Sequence, residues 1–449
     1  MTVREYQTGD LGQMIAIWNE IVEEGVAFPQ EELLDEKSGE RFFSSQSYCG
    51  VAADDGRGKK CLILQPKRAG SMAGVYVHIP FCASRCSYCD FFSTLEMKAV
   101  GTPYVEALIG EARLRRHELG DDAVRTLYLG GGTPSQLPLP LITRLVEGLN
   151  DVIGLSEVEE FTVEANPDDV TPAWCDSLVP LGVNRVSMGV QTFQDDILRA
   201  IGRRHTAHQV VQAVENLNKA GIDNTSIDLI YGLPGQTLDS WARTVDAALA
   251  LKPRHVSAYW LTYEPGTRLW QQRERGEVTE VPDEDCAGMY HLLVRRLQEA
   301  GFEHYEISNF GLPGYHSRHN SSYWDGTPYL GLGAAAHSYD GNVRRSNPSD
   351  LRAYIDRIGA GELACEEEQM TLWERYDERV MLALRTSAGV DVEQLRAEFG
   401  SELAEHFLSE VHRHLAAGNV RREGESRYVL TADGVLLSDS VMRDVMWDG

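Results

Sequence analysis

Long apolar runs are missing from this chain. No stretch of its 449 residues approaches the roughly eighteen that a membrane-spanning helix needs. No signal-peptide pattern opens it either, so a cytoplasmic protein is expected. Positive charge is scarce: 42 Lys and Arg stand against 68 Asp and Glu, a formal net charge of −26. Nucleic-acid affinity rests on cations neutralising phosphates, so no nucleic-acid partner is expected. Cysteine is sparse too, and five of the eight are scattered singly at 49, 61, 175, 286 and 365. Scattered thiols exclude a disulfide framework and fit a reducing compartment.

The other three cysteines lie together. "HIPFCASRCSYCDFF" (78–92) holds Cys82, Cys86 and Cys89 at C-x3-C-x2-C spacing, with Phe91 where a further cysteine could stand. Thiolates bind zinc or iron–sulfur clusters. A structural zinc needs a fourth ligand, such as Asp90 or His78. A four-iron cluster on three thiolates instead leaves one iron open to a small molecule.

From residue 75 the chain alternates strand-like and helix-like runs. "VYVHI", "RTLYL", "FTVEANP", "RVSMGVQTF", "TSIDLIYGLP", "HVSAYWLTYEP" and "HYEIS" are apolar, β-branched or aromatic, and amphipathic stretches such as "AHQVVQAVENLNKAG" separate them. Such alternation implies parallel βαβ units, and six or seven of them a partial or full barrel with its functional loops at the C-terminal strand ends. Beyond about residue 365, "ELAEHFLSEVHRHLAAGNV" and "RYVLTADGVLLSDSVM" read as helices and a hairpin resembling a small winged helix, whose acidic helices argue against DNA.

The C-x3-C-x2-C loop after the first of these strands resembles the radical S-adenosylmethionine (SAM) superfamily. Over residues 72 to 449 the chain is similar to the oxygen-independent coproporphyrinogen oxidase-like family. That resemblance implies a [4Fe-4S] cluster on Cys82, Cys86 and Cys89, whose open iron chelates the methionine end of SAM, and an electron that cleaves SAM to a 5′-deoxyadenosyl radical. The chemistry belongs to the cofactor, so no catalytic side chain is assigned. It also implies that Tyr76 contacts SAM and that Tyr88 packs a ring on it. Gly131, Gly132 and Thr133 of "GGGTPS" let bare backbone approach the methionyl group. Glu164 of "VEAN" takes the ribose hydroxyls, and Gln191, Arg203 and Asp228 complete the SAM surroundings.

Two branches of the family differ here. The decarboxylating oxidase extends its motif to C-x3-C-x2-C-x-C, where this chain has Phe91. "HNSSYW" (319–324) fits the H-N-x-x-Y-W of the heme-chaperone branch. The expectation is therefore a chaperone that binds heme and hands it to an acceptor protein; the alternative is a radical SAM oxidoreductase acting on coproporphyrinogen III or another porphyrin-type substrate. His319 is the expected axial ligand, since a neutral imidazole suits heme iron, with His316 and His337 as neighbouring alternatives. An electron donor, a homodimer and peripheral contact with membrane-bound acceptors are further expectations.

The expected fold class is α/β: a radical SAM partial (β/α) barrel over 72–310, an HNxxYW segment and connection over 311–364, and a winged-helix-like domain over 365–449. Residues 1–71 form a short α+β extension. "MIAIWNEIVEEGVAFPQEELLDEKSGERFF" resembles the opening helices of the N-acetyltransferase (GNAT) fold. "KRAGSMAG" does not fit the Gly-rich turn that such enzymes place under acetyl-CoA, so acetyl transfer is not expected. Met72 stands immediately before "AGVYVHIPFC", where chains of this family often begin.

Overall fold

The computed structural model describes residues 2–5, 11–24, 37–38, 46–53, 61–66, 73–119 and 123–447. The chain divides into two compact units, one of residues 1–71 with 397–401 and one of 72–396 with 402–449. In the first, β1 (Thr2–Glu5), β2 (Gln46–Ala53) and β3 (Cys61–Pro66) form an antiparallel sheet in the order β1-β2-β3, accompanied by the helix Leu11–Glu24. Most of the stretch that resembles the acetyltransferase helices, and Met72 itself, lie outside the described residues.

The second unit is built on six strands: β4 (Ala73–Ile79), β5 (Val124–Gly131), β6 (Glu160–Ala165), β7 (Arg185–Gln191), β8 (Asn224–Tyr231) and β9 (His255–Trp260). They pair in parallel and in chain order, β4 to β9. The connections carry helices, as parallel pairing requires. Leu139–Ile153 illustrates why these stretches are helical: Ile142, Leu145, Val146, Leu149 and Ile153 recur at helical spacing and are buried against the sheet. Capping boxes at Thr206 and Thr237 start two more.

Each strand alternates. On β7, Val186, Met188 and Val190 are wholly buried in the apolar core, whereas Ser187, Gly189 and Gln191 face a cavity. Beyond β9 the sheet adds β10 (Glu303–Glu306) and β11 (Asn309–Gly311); beyond β4 it adds β12 (Tyr329–Leu332), β13 (His337–Tyr339), β14 (Val343–Ser346) and β15 (Glu366–Gln369). β12 runs parallel to β4, with Gly331 opposite Tyr76. The sheet does not close, so the barrel is partial, with β10 and β15 as its edges. A last small sheet, β16 (Val390–Asp391), β17 (Val420–Glu423) and β18 (Arg427–Leu430), lies with the helix Ser401–Ala417 in the winged-helix-like region.

Candidate functional site

A cavity of about 490 Å³ opens at the C-terminal ends of β4 to β9, where the loops after each strand converge. Its volume lies within the range of small-molecule sites. Cys82, Cys86, Cys89, Tyr88, Gly131, Gly132, Thr133, Glu164, Gln191, Arg203 and Asp228 all line it. Tyr76 and His319 do not. Ser187, Tyr259 and Arg204 line it without having been expected. Ser187 was within reach of the sequence, because period-2 alternation places it on the same strand face as Gln191.

The cysteine loop is fastened at several points. Cys82 N donates to Thr94 O at 2.9 Å, Ser87 N to Ile201 O at 2.9 Å, and Leu269 N to Ser87 O at 2.7 Å. Cys82 Sγ lies 3.3 Å from Thr133 Oγ1, and Arg203 Nη1 lies 3.5 Å from Cys86 Sγ. Arg203 also donates to the Gly189 carbonyl. Burial pushes the Cys89 thiol up to about 11, so a thiolate there needs a cation beside it, as an iron cluster would supply. Among the described residues, no three His, Cys, Asp or Glu side chains gather so as to hold a single metal ion. His78, a conceivable fourth zinc ligand, is committed: Nδ1 lies 3.1 Å from Tyr76 Oη and Nε2 3.0 Å from Phe92 O. The loop thus presents three thiols to the cavity, a donor set that fits a four-iron cluster with one iron left open.

The glycine run also has a packing reason. A Cβ on Gly131, where φ is +109°, would lie 2.5 Å from the His78 ring, and one on Gly132 would lie 2.8 Å from the Pro80 carbonyl carbon. The missing side chains let the end of β5 press against the cysteine loop. Gly132 N donates to Ile79 O at 2.9 Å, which completes that junction.

Two carboxylates floor the cavity. Glu164 accepts from Tyr128 Oη at 2.8 Å and from Gly131 N at 3.0 Å. Burial, aided by the charge of Asp228, raises it to about 7 against those two bonds and Arg185. Asp228 accepts from Ser187 Oγ at 3.0 Å and Ser226 Oγ at 3.3 Å, and burial raises its carboxyl as well. Gln191 takes a left-handed φ of 66° where β7 bulges, a strain that recurs at binding sites. The lip is mixed: Phe91 is 67% and Tyr259 45% exposed, beside the exposed Arg85, Asp90 and Arg204. Such a vessel, with acceptors below and sulfur ligands at one side, suits a polar cofactor.

The remaining two expected residues lie elsewhere. Tyr76 sits beneath the cavity, its hydroxyl on His78 and its ring 6.0 Å from Tyr128. His319 lies at the opposite, N-terminal end of the barrel and is only 1% exposed. Nδ1 is 2.8 Å from Thr126 Oγ1 and Nε2 is 2.9 Å from Tyr323 Oη, so neither nitrogen has a lone pair facing open space. Burial lowers its pKa to about 3, keeping the ring neutral. Of the alternatives, His316 stacks on Tyr305 at 4.0 Å, and His337 is exposed on β13.

Comparison with known proteins accords with this architecture. Residues 76–248 match the radical SAM superfamily and 370–437 the HemN C-terminal domain. Heme chaperone HemW of Bacillus subtilis is 37% identical over 82% of this chain and 98% of its own length. That of Lactococcus lactis is 38% identical over 83% and 97%. The structure of coproporphyrinogen III oxidase (HemN) from Escherichia coli covers 84% of this chain and 91% of its own with a TM-score of 0.73, at 24% identity, a likeness of fold. Those two chaperones are matched almost end to end, and by that measure the chain belongs to the HemW family of radical SAM proteins.

Proposed function

We propose that this protein is a heme chaperone that binds heme, passes it to an acceptor protein, and carries a [4Fe-4S] cluster and SAM in the cavity. The observation that carries this reading is the near-complete coverage of relatives named for heme chaperoning. Cys82, Cys86 and Cys89 would hold the cluster, and Glu164, Asp228, Gln191 and Arg203 would surround SAM. When bound, the cluster supplies the electron for reductive chemistry on SAM. The chain's own part is to bind and orient. Arg203 offers positive charge beside Cys86, Thr133 offers a hydroxyl to Cys82, and the carboxylates present acceptors to hydroxyl groups.

Heme would then be cargo. Ligation by His319 would require its ring to leave the barrel, whereas His337 is exposed and needs no such movement. The test is a heme titration of the anaerobically reconstituted protein, followed by an assay on coproporphyrinogen III with SAM and a reductant. About one heme per chain and no protoporphyrinogen are expected. Robust decarboxylation would overturn the chaperone reading in favour of the oxidoreductase. His337→Ala is expected to change the heme spectrum more than His319→Ala, and the reverse result would assign the iron to His319.

A further inference from the structure

The H-N-x-x-Y-W helix, Arg318–Trp324, lies across the N-terminal end of the barrel, far from the cysteine loop along the strands. Its start is fixed by a buried carboxylate: Glu160 accepts from Arg318 N and His319 N at 3.0 Å each, and from Ser317 Oγ at 3.5 Å. Negative charge at a helix N-terminus is favourable, and here it anchors the helix to the first residue of β6. From that seat His319 enters the lumen. The space comes from Gly74, where a Cβ would lie 3.0 Å from Thr126 Oγ1 and 3.3 Å from His319 Nδ1.

Inside, the imidazole is held on both edges by Thr126 and Tyr323, and on one face it stacks on Tyr128 at 5.1 Å with 27° between the rings. Tyr128 is the residue whose hydroxyl donates to Glu164 at 2.8 Å. The crowding continues upward, since a Cβ on Gly130 would lie 2.7 Å from Tyr128 Cε1 and 3.1 Å from Glu164 Oε1. Only two side chains therefore separate the far helix from a carboxylate on the cavity floor. The imidazole face, the Tyr76 ring and the packed Gly130 leave the tyrosine little freedom to turn.

We propose that His319 is a positioning residue for the cavity: it holds the Tyr128 ring at the angle at which its hydroxyl binds Glu164, and so fixes the carboxylate that faces the ligand. This rests on the reading of the cavity as a SAM site. It assigns the motif histidine a role at the cofactor end. A side chain that merely filled space would affect folding but not the ligand through Tyr128 in particular.

The test is SAM binding by calorimetry to the full-length, anaerobically reconstituted protein. His319→Leu keeps the volume but loses both nitrogens and the flat face. It and Tyr128→Phe are each expected to weaken SAM by about tenfold, the scale of one hydrogen bond to a charged group. The double variant is expected to be no weaker than Tyr128→Phe alone, because the two act in one line. His319→Gln, whose amide reaches Thr126 and Tyr323, is expected to recover most of the loss. Additive losses of about a hundredfold, or wild-type affinity in His319→Leu, would overturn the proposal. Should His319→Leu fail to take up its cluster, Thr126→Val replaces it and is read by the same two outcomes. Failure of the wild-type protein to bind SAM would instead remove the cavity assignment itself.

Discussion

Glu164 shows how much one buried side chain sets. In the folded protein its carboxyl titrates near 7 rather than at its ordinary 4.5. The fold therefore keeps a proton that the unfolded chain releases, and the stability linked to this group is present below 4.5 and is lost as pH rises through 7. Glu164→Gln should stabilise the cofactor-free protein at pH 8 by about 1–2 kcal/mol, a figure reduced by one weakened hydrogen bond. The difference should fade toward pH 5. Thermal melts across that range check it, and a gain that grew as pH fell would have the wrong sign. Glu164 was legible in the sequence because "VEAN" places a carboxylate at a strand end. Its bond to Tyr128 was not, since the two lie 36 positions apart in the chain.

At the scale of elements, the junction between the cysteine loop and the end of β5 is the most exacting. Gly132→Ala would push a methyl group against the backbone of Ile79, Pro80 and Phe81, and backbone cannot step aside as a flexible side chain can. A cost of about 1–3 kcal/mol, typical of overpacking, is expected, together with reduced iron uptake on reconstitution. Each of Cys82→Ala, Cys86→Ala and Cys89→Ala should abolish the cluster, whereas Cys175→Ala, buried on the helix Pro172–Leu178, should leave the iron content unchanged. Iron retained by a triple variant would sink the thiolate assignment.

The strands themselves were readable, because β-branched runs between amphipathic stretches state a parallel sheet directly. What escaped was anything set by distant pairing. β12 joins β4 across more than two hundred residues, and no local pattern announces that partner. The same limit explains His319. A motif of histidine and aromatics identifies a family, but which end of a barrel it reaches depends on where the chain returns. The buried Arg185, and Ser226 and His255 which meet at 2.8 Å, were equally hidden, because a buried polar residue and a solvated one look alike in sequence.

At the scale of the whole molecule, the two compact units invite separation. The relatives are matched over nearly their full length, yet close to a fifth of this chain lies outside the match. A chain beginning at Met72 is expected to fold, take up its cluster and bind heme as the full chain does. Iron content and a heme titration on the shortened protein decide this. An insoluble product, or one without iron, would make the N-terminal segment integral to the fold.

The outer edge of the large sheet has a consequence of a different kind. β15 ends the sheet with Glu366, Glu367 and Glu368, all exposed. Its other side is occupied by β14, where Arg345 meets Glu367 at 2.8 Å. An edge strand is a template on which another chain could lie, and a row of like charges repels a second copy that tries. That guard exists only while the carboxylates are ionised. Replacing the three glutamates by glutamine would remove it and leave a bare ladder of amides and carbonyls along the edge. Resistance to self-association thus leans on one strand: light scattering should rise in a variant whose three glutamates are replaced by glutamine, and an unchanged signal would remove this role from the edge.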